Sequence, residues 1–191
     1  MIQAALTAEQ FLSIRSELPD AGQWSELIRG VAVSLQPPDL DHGTTILNLS
    51  KQLAAYVHAG HDATGYPCFD LGLLVERRPD TVFFPAVSYF STGPRFAEAD
   101  KEITESVPDL VVELISTQDR RGNLHDKTSA YLQMGVRCIW HVDPTQRVVL
   151  VNGPQQTPCR LTEFETLRGG DILPQFQVTV KQLFAEPEWA A

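Results

Sequence analysis

One short segment, residues 110–115, constrains the fold more than any other part of the chain. It is almost continuously apolar, which is typical of a central strand buried on both faces of a sheet. Glu113 interrupts the apolar run, and a buried charge costs several kcal/mol unless it is paired or binds a cation. Two interpretations of Glu113 are therefore open, a structural ion pair with an arginine and a metal ligand.

The rest of the chain alternates between helical and extended patterns, with no repeat and no linker-like stretch. We therefore predict one α/β domain over residues 1–191, with a mixed central sheet flanked by helices. Residues 86–107 are predicted to form a long loop with a short helix around 95–103. The predicted helices cover 7–18, 42–58 and 122–134, and the predicted strands cover 24–36 (as a hairpin), 69–75, 81–85, 110–115, 137–142, 148–151, 159–164 and 176–180.

Composition indicates a globular chain, because 43% of its 191 residues are hydrophobic and 20% are charged. No apolar run approaches the ~18 residues that a membrane span needs, and no basic region precedes the apolar N-terminal residues. We therefore expect no membrane segment, no signal peptide and a cytoplasmic location. Cys68, Cys138 and Cys159 lie far apart, which favours reduced thiols over a disulfide framework or a zinc site.

The net charge of −9 opposes contact with a phosphate backbone, although local basic patches can offset it. Two arginine pairs are candidates for such patches. Arg77 and Arg78 precede Pro79 and Asp80, and Arg120 and Arg121 follow the strand that contains Glu113. They fit contacts to substrate phosphates and solvated loop arginines equally well.

Asp80 is a candidate partner for Glu113 because it begins another predicted strand, directly after Pro79. If the two strands are neighbours, both carboxylates point into one cleft. They would then supply hard oxygen ligands of the kind that Mg²⁺ prefers, with water and a substrate phosphate completing the octahedron. Taken alone, Asp80 also fits an ordinary turn residue.

Lys127 lies one turn into the helix that follows the Glu113 strand, and Tyr131 is on the same face one turn later. A helix that leaves the end of a strand packs back over the sheet, so Lys127 can reach Glu113. A lysine beside a scissile phosphate stabilises developing negative charge and positions the attacking water. The alternative is a solvated helix lysine.

Taken together and in order, these segments resemble a bacterial family of restriction endonucleases within the PD-(D/E)XK nuclease superfamily. The resemblance covers about residues 20–185, nearly the whole chain. The segments that carry it are Glu26–Gly30 with His42, Pro79-Asp80, Pro108–Ser116, Asp126-Lys127 with Tyr131, Gly135-Val136, Trp140–Pro144 and Asp171–Phe176.

The resemblance implies a restriction-endonuclease-like fold and Mg²⁺-dependent hydrolysis of phosphodiester bonds in nucleic acid, with DNA as the expected substrate and Mn²⁺ as a substitute cation. It assigns Asp80 to the metal-binding aspartate and Glu113 to the acidic member of the (D/E)XK element. The backbone carbonyl of Leu114 is implied as a further metal ligand, and Glu26 as an acidic residue that assists metal or water binding. By analogy with the superfamily, a homodimer is also implied.

The chain departs from the superfamily pattern at Ile115, because the pattern has a lysine two residues after the acid. An isoleucine cannot do that lysine's electrostatic work, so we assign the amine to Lys127 on the next helix. The departure and the −9 charge keep two alternatives open. One is a binding module that has the nuclease fold but cuts weakly or not at all, and the other is a hydrolase of small phosphoesters.

Three further residues are candidate substrate contacts: His42, Ser116 and Tyr131. For His42 a role at the helix terminus is favoured, and for Ser116 a role as helix cap or turn residue. The five histidines show no metal-ligand spacing.

Overall fold

The computed structural model describes residues 5–60, 65–155 and 157–186. Within these ranges, none of the helices has both the length and the apolar character that a membrane crossing requires. The helices are α1 (Ala8–Arg15), α2 (Leu40–His58), α3 (Gln118–Gly122), α4 (Leu124–Met134) and α5 (Val180–Leu183), with a 3₁₀ turn at Pro19–Gly22. The strands are β1 (Ser25–Ile28), β2 (Val31–Ser34), β3 (Tyr66–Phe69), β4 (Gly72–Glu76), β5 (Thr81–Phe83), β6 (Val87–Phe90), β7 (Ile103–Thr104), β8 (Leu110–Leu114), β9 (Cys138–Asp143), β10 (Val148–Asn152), β11 (Cys159–Thr162), β12 (Thr166–Arg168) and β13 (Gln177–Thr179).

The strands form a first sheet with the order β2-β1-β5-β4-β7 and a second sheet with the order β11-β10-β9-β8-β6-β3, while β12 and β13 pair separately. Both larger sheets are mixed. In the first sheet β4 and β7 are parallel, and in the second β8 and β9 are parallel, whereas β4–β5 and β6–β8 are antiparallel. The structure confirms the predicted α/β class, with mixed sheets flanked by helices.

β8 is the central strand that the apolar run predicts. It lies between β6 and β9, and all of its residues are buried. Leu110, Val112 and Leu114 pack into the core with α2, β13 and α5, whereas Val111 packs with α4. Because side chains alternate along a strand, Glu113 shares the face of Val111 and points towards α4.

The first sheet has a different helix on each face. Leu73 of β4 and Phe83 of β5 pack with Tyr131 of α4, which also contacts the second sheet. On the opposite face, Leu27 of β1 and Val82 of β5 pack with α1. The parity of a residue along β1 or β5 therefore decides whether its side chain meets α4 or α1.

Several local predictions are confirmed. The capping box between Thr7 and Gln10 is present at the start of α1. Gly135 ends α4 in the left-handed conformation with φ 110°, which a glycine adopts without strain. The predicted hairpin between residues 137–142 and 148–151 is formed by β9 and β10.

Two predicted elements are wrong. The strand expected over 69–75 is two strands, β3 and β4, which belong to different sheets. The chain turns between them at Asp70, whose φ is 51°. The loop expected over 86–107 begins with β6, a fully buried strand, because its apolar residues Val87, Tyr89 and Phe90 complete the core. The helix predicted over 122–134 is present as α4, which begins at Leu124 after the separate short helix α3.

Candidate functional site

Lys127 connects carboxylates from both sheets. Its Nζ donates hydrogen bonds to Glu26 Oε1 at 2.6 Å and to the two carboxylate oxygens of Glu113 at 3.2 and 3.4 Å. All three residues are at most 6% exposed. The contact between Lys127 and Glu113 that helix packing predicts is therefore present, and Glu26 of β1 joins it. Two carboxylates and one ammonium leave one formal negative charge in this cluster.

Tyr131 lies one helical turn after Lys127 and holds Glu113 from the same side. Its hydroxyl donates a hydrogen bond to Glu113 Oε1 at 2.5 Å. Burial, reinforced by Glu113, raises the pKa of Tyr131 well above its ordinary value, so the hydroxyl stays protonated and remains a donor. This bond restricts the orientation of the Glu113 carboxylate.

The ionisation of Lys127 depends on its two acidic neighbours. Burial by itself would lower the pKa of Lys127, but Glu113 and Glu26 outweigh burial and raise that pKa. Burial raises the pKa of Glu26, while the attraction of Lys127 opposes that rise. At neutral pH the lysine is therefore a cation and can neutralise negative charge that develops beside it.

Glu26 has one carboxylate oxygen that no hydrogen bond satisfies. Oε1 accepts from Lys127 and, at 3.5 Å, from the backbone N–H of Phe84, whereas Oε2 is buried without a hydrogen-bond partner. A buried polar atom without a partner costs about 1–3 kcal/mol, and more when it is charged. Because Glu26 and Glu113 line the same cleft, this oxygen is available to a cation or a water molecule there.

The mouth of the cleft is basic and aromatic. Arg15 and Arg120 both line it, together with Trp24 and Phe84. The Arg15 guanidinium carbon lies 3.9 Å from the centroid of the Phe84 ring, and that of Arg120 lies 5.7 Å from the Trp24 ring. These contacts hold two permanent cations in the cleft that also contains Glu26 and Glu113, where they can offset the acidic total of the chain.

His42 and Ser116 pair with each other at the edge of the same cleft. The His42 Nδ1 and the Ser116 Oγ are 2.8 Å apart, and the His42 ring is in edge contact with Trp24. Burial, with a further contribution from Arg120, lowers the pKa of His42 to about 4. His42 is therefore neutral at pH 7 and lines the cleft as a hydrogen-bonding group rather than as a charge.

Asp80 does not join this site, and the expectation that its strand is a neighbour of the Glu113 strand is wrong. β5 belongs to the first sheet and β8 to the second. Asp80 also has the parity of Val82, which faces α1, and its Oδ2 accepts a hydrogen bond from the Ala8 N–H of that helix. Asp80 is not among the residues that line the cleft around Glu113.

Hydrogen bonds account for the buried Asp80 without a metal ion. Besides Ala8, its carboxylate accepts from the Arg78 N–H at 3.2 Å and from the Arg77 guanidinium at 3.1 Å. Arg77 also pairs with Glu105 on the surface. Arg77 and Arg78 thus lie at the Asp80 turn rather than at the cleft.

The second arginine pair is divided by the structure. Arg120 lines the cleft and donates a hydrogen bond to the Gln36 carbonyl at 2.7 Å, whereas Arg121 forms an ion pair with Asp143. Leu114 lines the cleft next to Glu113. That its backbone carbonyl is a metal ligand stays a prediction.

The residues at the cleft that the sequence analysis missed include Arg15, Asp70 and Ala86. Arg15 belongs to a helix whose pattern shows only which face is apolar. Asp70 falls inside the segment that was predicted as a continuous strand. Ala86 has no functional group in its side chain, and it matters only because it lines the same cleft as Glu113.

We expect acid to destabilise the protein partly through Asp80 and Asp109. Burial opposes ionisation of both, but their hydrogen bonds prevail and lower each pKa below 3.8; Asp109 is held by Ser91 and Arg137. A lowered folded-state pKa stabilises the protein above the unfolded-state value, and this contribution is lost as the pH falls through the folded-state value. In urea unfolding between about pH 5 and pH 2, Asp109→Asn should lose less stability than the wild type. Equal losses would contradict the assignment.

The donor chemistry of the cleft can be tested against the Mg²⁺ that the family resemblance implies. Glu26 and Glu113 supply hard oxygen ligands, and Glu26 Oε2 has no other partner. Mg²⁺ is commonly bound by one or two carboxylates, with waters and substrate phosphate completing its shell. The pair therefore fits a hydrated divalent cation. It does not form an all-protein cage, since the described residues hold no group of three His, Cys, Asp or Glu that suits a metal ion.

Comparison with known proteins agrees with this fold. The sequence pattern of the family described as "Putative restriction endonuclease" (Uma2) matches residues 8–181. Among solved structures, a "putative nuclease belonging to DUF820" from Anabaena variabilis ATCC 29413 is similar in fold, with a TM-score of 0.73 and 21% identity, covering 94% of this chain and 97% of that chain. No match is found among curated proteins. Since the family pattern spans most of its length, this chain belongs to the Uma2 family of restriction-endonuclease-like proteins.

Proposed function

We propose that this protein is a divalent-cation-dependent nuclease that hydrolyses phosphodiester bonds in DNA, with Glu26, Glu113 and Lys127 at its centre. The observation that carries the proposal is the buried, unpartnered Oε2 of Glu26 in a cleft that also contains Glu113. Membership of the family supports a nuclease, and the two arginines at the cleft mouth support an anionic substrate.

In this proposal Glu26 and Glu113 hold the cation, with the Leu114 carbonyl as a further candidate ligand. Bound Mg²⁺ or Mn²⁺ supplies Lewis acidity, which lowers the pKa of a coordinated water and neutralises charge on the phosphate. Lys127 contributes an ammonium group that stabilises the charge developing on the phosphate oxygens. Tyr131 positions the Glu113 carboxylate through its 2.5 Å hydrogen bond.

The residues at the cleft mouth position the substrate. Arg15 and Arg120 carry permanent charges and bind phosphate oxygens on either side of the bond to be cut. His42, which is neutral, offers a hydrogen bond without adding charge. Because such contacts neutralise phosphates, DNA binding should weaken as salt concentration rises.

The test is cleavage of supercoiled and linear DNA with Mg²⁺ or Mn²⁺. Glu113→Gln is expected to reduce the cleavage rate at least about a hundredfold, because the loss of a cation ligand removes several kcal/mol of transition-state stabilisation. Glu17→Gln is the matched control, since Glu17 is exposed and does not line the cleft. The proposal fails if the wild type cuts no nucleic acid with either cation, or if Glu113→Gln cuts as fast as Glu17→Gln.

A second candidate function is binding of nucleic acid without cutting. Two observations favour it: Lys127 already neutralises part of the carboxylate pair, and the strand next to Glu113 has an alanine at the cleft. Fluorescence anisotropy with labelled DNA in EDTA separates the candidates. Binding that persists without a cation, together with no cleavage when one is added, supports the second.

A homodimer and a cytoplasmic location also stay predictions. Analytical ultracentrifugation would test the homodimer.

A further inference from the structure

Ala86 directly precedes β6, the strand that pairs with the Glu113 strand β8, and it lies at the cleft. β6 and β8 are antiparallel, with Val87 opposite Val112 and Ser88 opposite Val111. Continued by one residue, this register places Ala86 opposite Glu113. Ala86 also lines the same cleft as Glu26, Glu113 and Lys127, and its side chain is 7% exposed at the edge of the core.

Residues directly opposite each other in an antiparallel pair have Cβ atoms about 4.5–5.5 Å apart. Carboxylates at two such positions converge on one point, and a divalent cation between them relieves their repulsion. An alanine supplies no ligand oxygen. Position 86 therefore contributes no side-chain ligand to a cation at Glu113.

The other carboxylates of the cleft do not replace the missing oxygen. Glu26 accepts a hydrogen bond from Lys127 with Oε1, and its Oε2 has no hydrogen-bond partner. Asp70, the third carboxylate that lines the cleft, lies in the attractive field of Arg15. No set of three acidic or metal-binding side chains comes together anywhere in the described ranges.

We propose that Ala86 is the residue that limits cation affinity at this site, and that an aspartate at position 86 completes a carboxylate pair across β6 and β8. The inference rests on the proposed function only for the identity of the cation. With alanine, a divalent ion meets a cluster of one net negative charge and few ligands, so it binds weakly. With aspartate, the cluster gains both a ligand and a second net charge.

The experiment is calorimetric titration of Mn²⁺ into the full chain without DNA. Ala86→Asp is expected to bind one Mn²⁺ at least about tenfold more tightly than the wild type, since loss of even an outer-shell partner costs 10–100-fold in metal affinity. Ala86→Asn is the matched control, because it has the same size and no charge. The gain should disappear in the double variant Ala86→Asp/Glu113→Gln. Equal affinities of Ala86→Asp and Ala86→Asn, or a gain that survives Glu113→Gln, would overturn the proposal.

A measurement on the wild type keeps the proposal testable if Ala86→Asp does not fold. The proposal requires weak binding when position 86 is alanine. A wild-type Mn²⁺ site with a Kd of about 10 μM or tighter, the affinity that a full set of oxygen ligands gives calcium-sensor loops, that is lost in Glu113→Gln would show that the site is complete without residue 86. Binding weaker than that range supports the proposal.

Parallel cleavage assays distinguish failure of this inference from failure of the proposed function. If Ala86→Asp binds Mn²⁺ more tightly but neither protein cuts DNA, the inference stands and the proposed function fails. If the wild type cuts DNA with Mg²⁺ but Ala86→Asp and Ala86→Asn bind Mn²⁺ equally, the proposed function stands and the inference fails.

Discussion

Replacing Lys127 by methionine is expected to lower the free energy of unfolding by about 3–5 kcal/mol, because it removes one partner of a buried ion cluster. The Lys127 side chain is 4% exposed, and its ammonium group contacts both Glu26 and Glu113. Methionine fills the same volume but leaves two carboxylates in a buried site with no positive charge between them. One of the two must then take up a proton, or the site must open to water.

Urea unfolding at pH 7 measures this effect. Lys51→Met is the matched control, since Lys51 is exposed on α2, and it should change stability by less than about 0.5 kcal/mol. The double variant Glu26→Gln/Lys127→Met should recover part of the loss, because it removes one of the uncompensated charges. If Lys127→Met is as stable as Lys51→Met, Lys127, Glu26 and Glu113 are not coupled as one buried ion cluster.

Asp80→Ala is expected to destabilise the protein by about 2–4 kcal/mol without changing cation binding. Its carboxylate satisfies the Ala8 N–H at the first turn of α1 and the Arg78 N–H, and it pairs with Arg77. Leaving a buried donor without a partner costs about 1–3 kcal/mol, and an acidic group near a helix N-terminus adds a smaller favourable term.

Two measurements on the same proteins test this assignment. Asp100→Ala is the control, because Asp100 is exposed in a turn and should leave unfolding unchanged. Mn²⁺ titration should show the same affinity in Asp80→Ala as in the wild type, whereas Glu113→Gln should lose binding. A folded Asp80→Ala that is as stable as the wild type but no longer binds Mn²⁺ would restore Asp80 as a ligand.

A comparison of Glu113 with Asp80 shows which structural roles can be predicted from local sequence pattern and which cannot. The apolar run around Glu113 predicts a central buried strand, and the structure has β8 between two neighbours with every residue buried. A charge in such a strand must be compensated, whatever the rest of the fold does. Asp80 lies at the start of a strand next to a turn, and that position is compatible with a ligand, a cap or a turn residue.

The contact between the helix after β8 and Glu113 could also be predicted from the sequence. Lys127 and Tyr131 are four residues apart, so they share one face of α4, and both reach Glu113. Local pattern could not show that Glu26 would complete the cluster, and only the family resemblance implied a role for it at the site. Glu26 is 87 residues before Glu113 by their numbers, and the contact depends on how the first sheet packs against α4.

Local pattern therefore predicts the buried strand of Glu113, the helix face that carries Lys127, and the need to compensate the charge of Glu113. These predictions follow from periodicity and from the cost of burying a charge, which are local properties. Local pattern does not show which strands are neighbours in the folded chain. Strand order depends on the packing of whole sheets, and one residue of parity sends a side chain to the opposite face. For that reason Asp80 contacts α1, whereas Ala86, which directly precedes the strand paired with β8, lines the same cleft as Glu113.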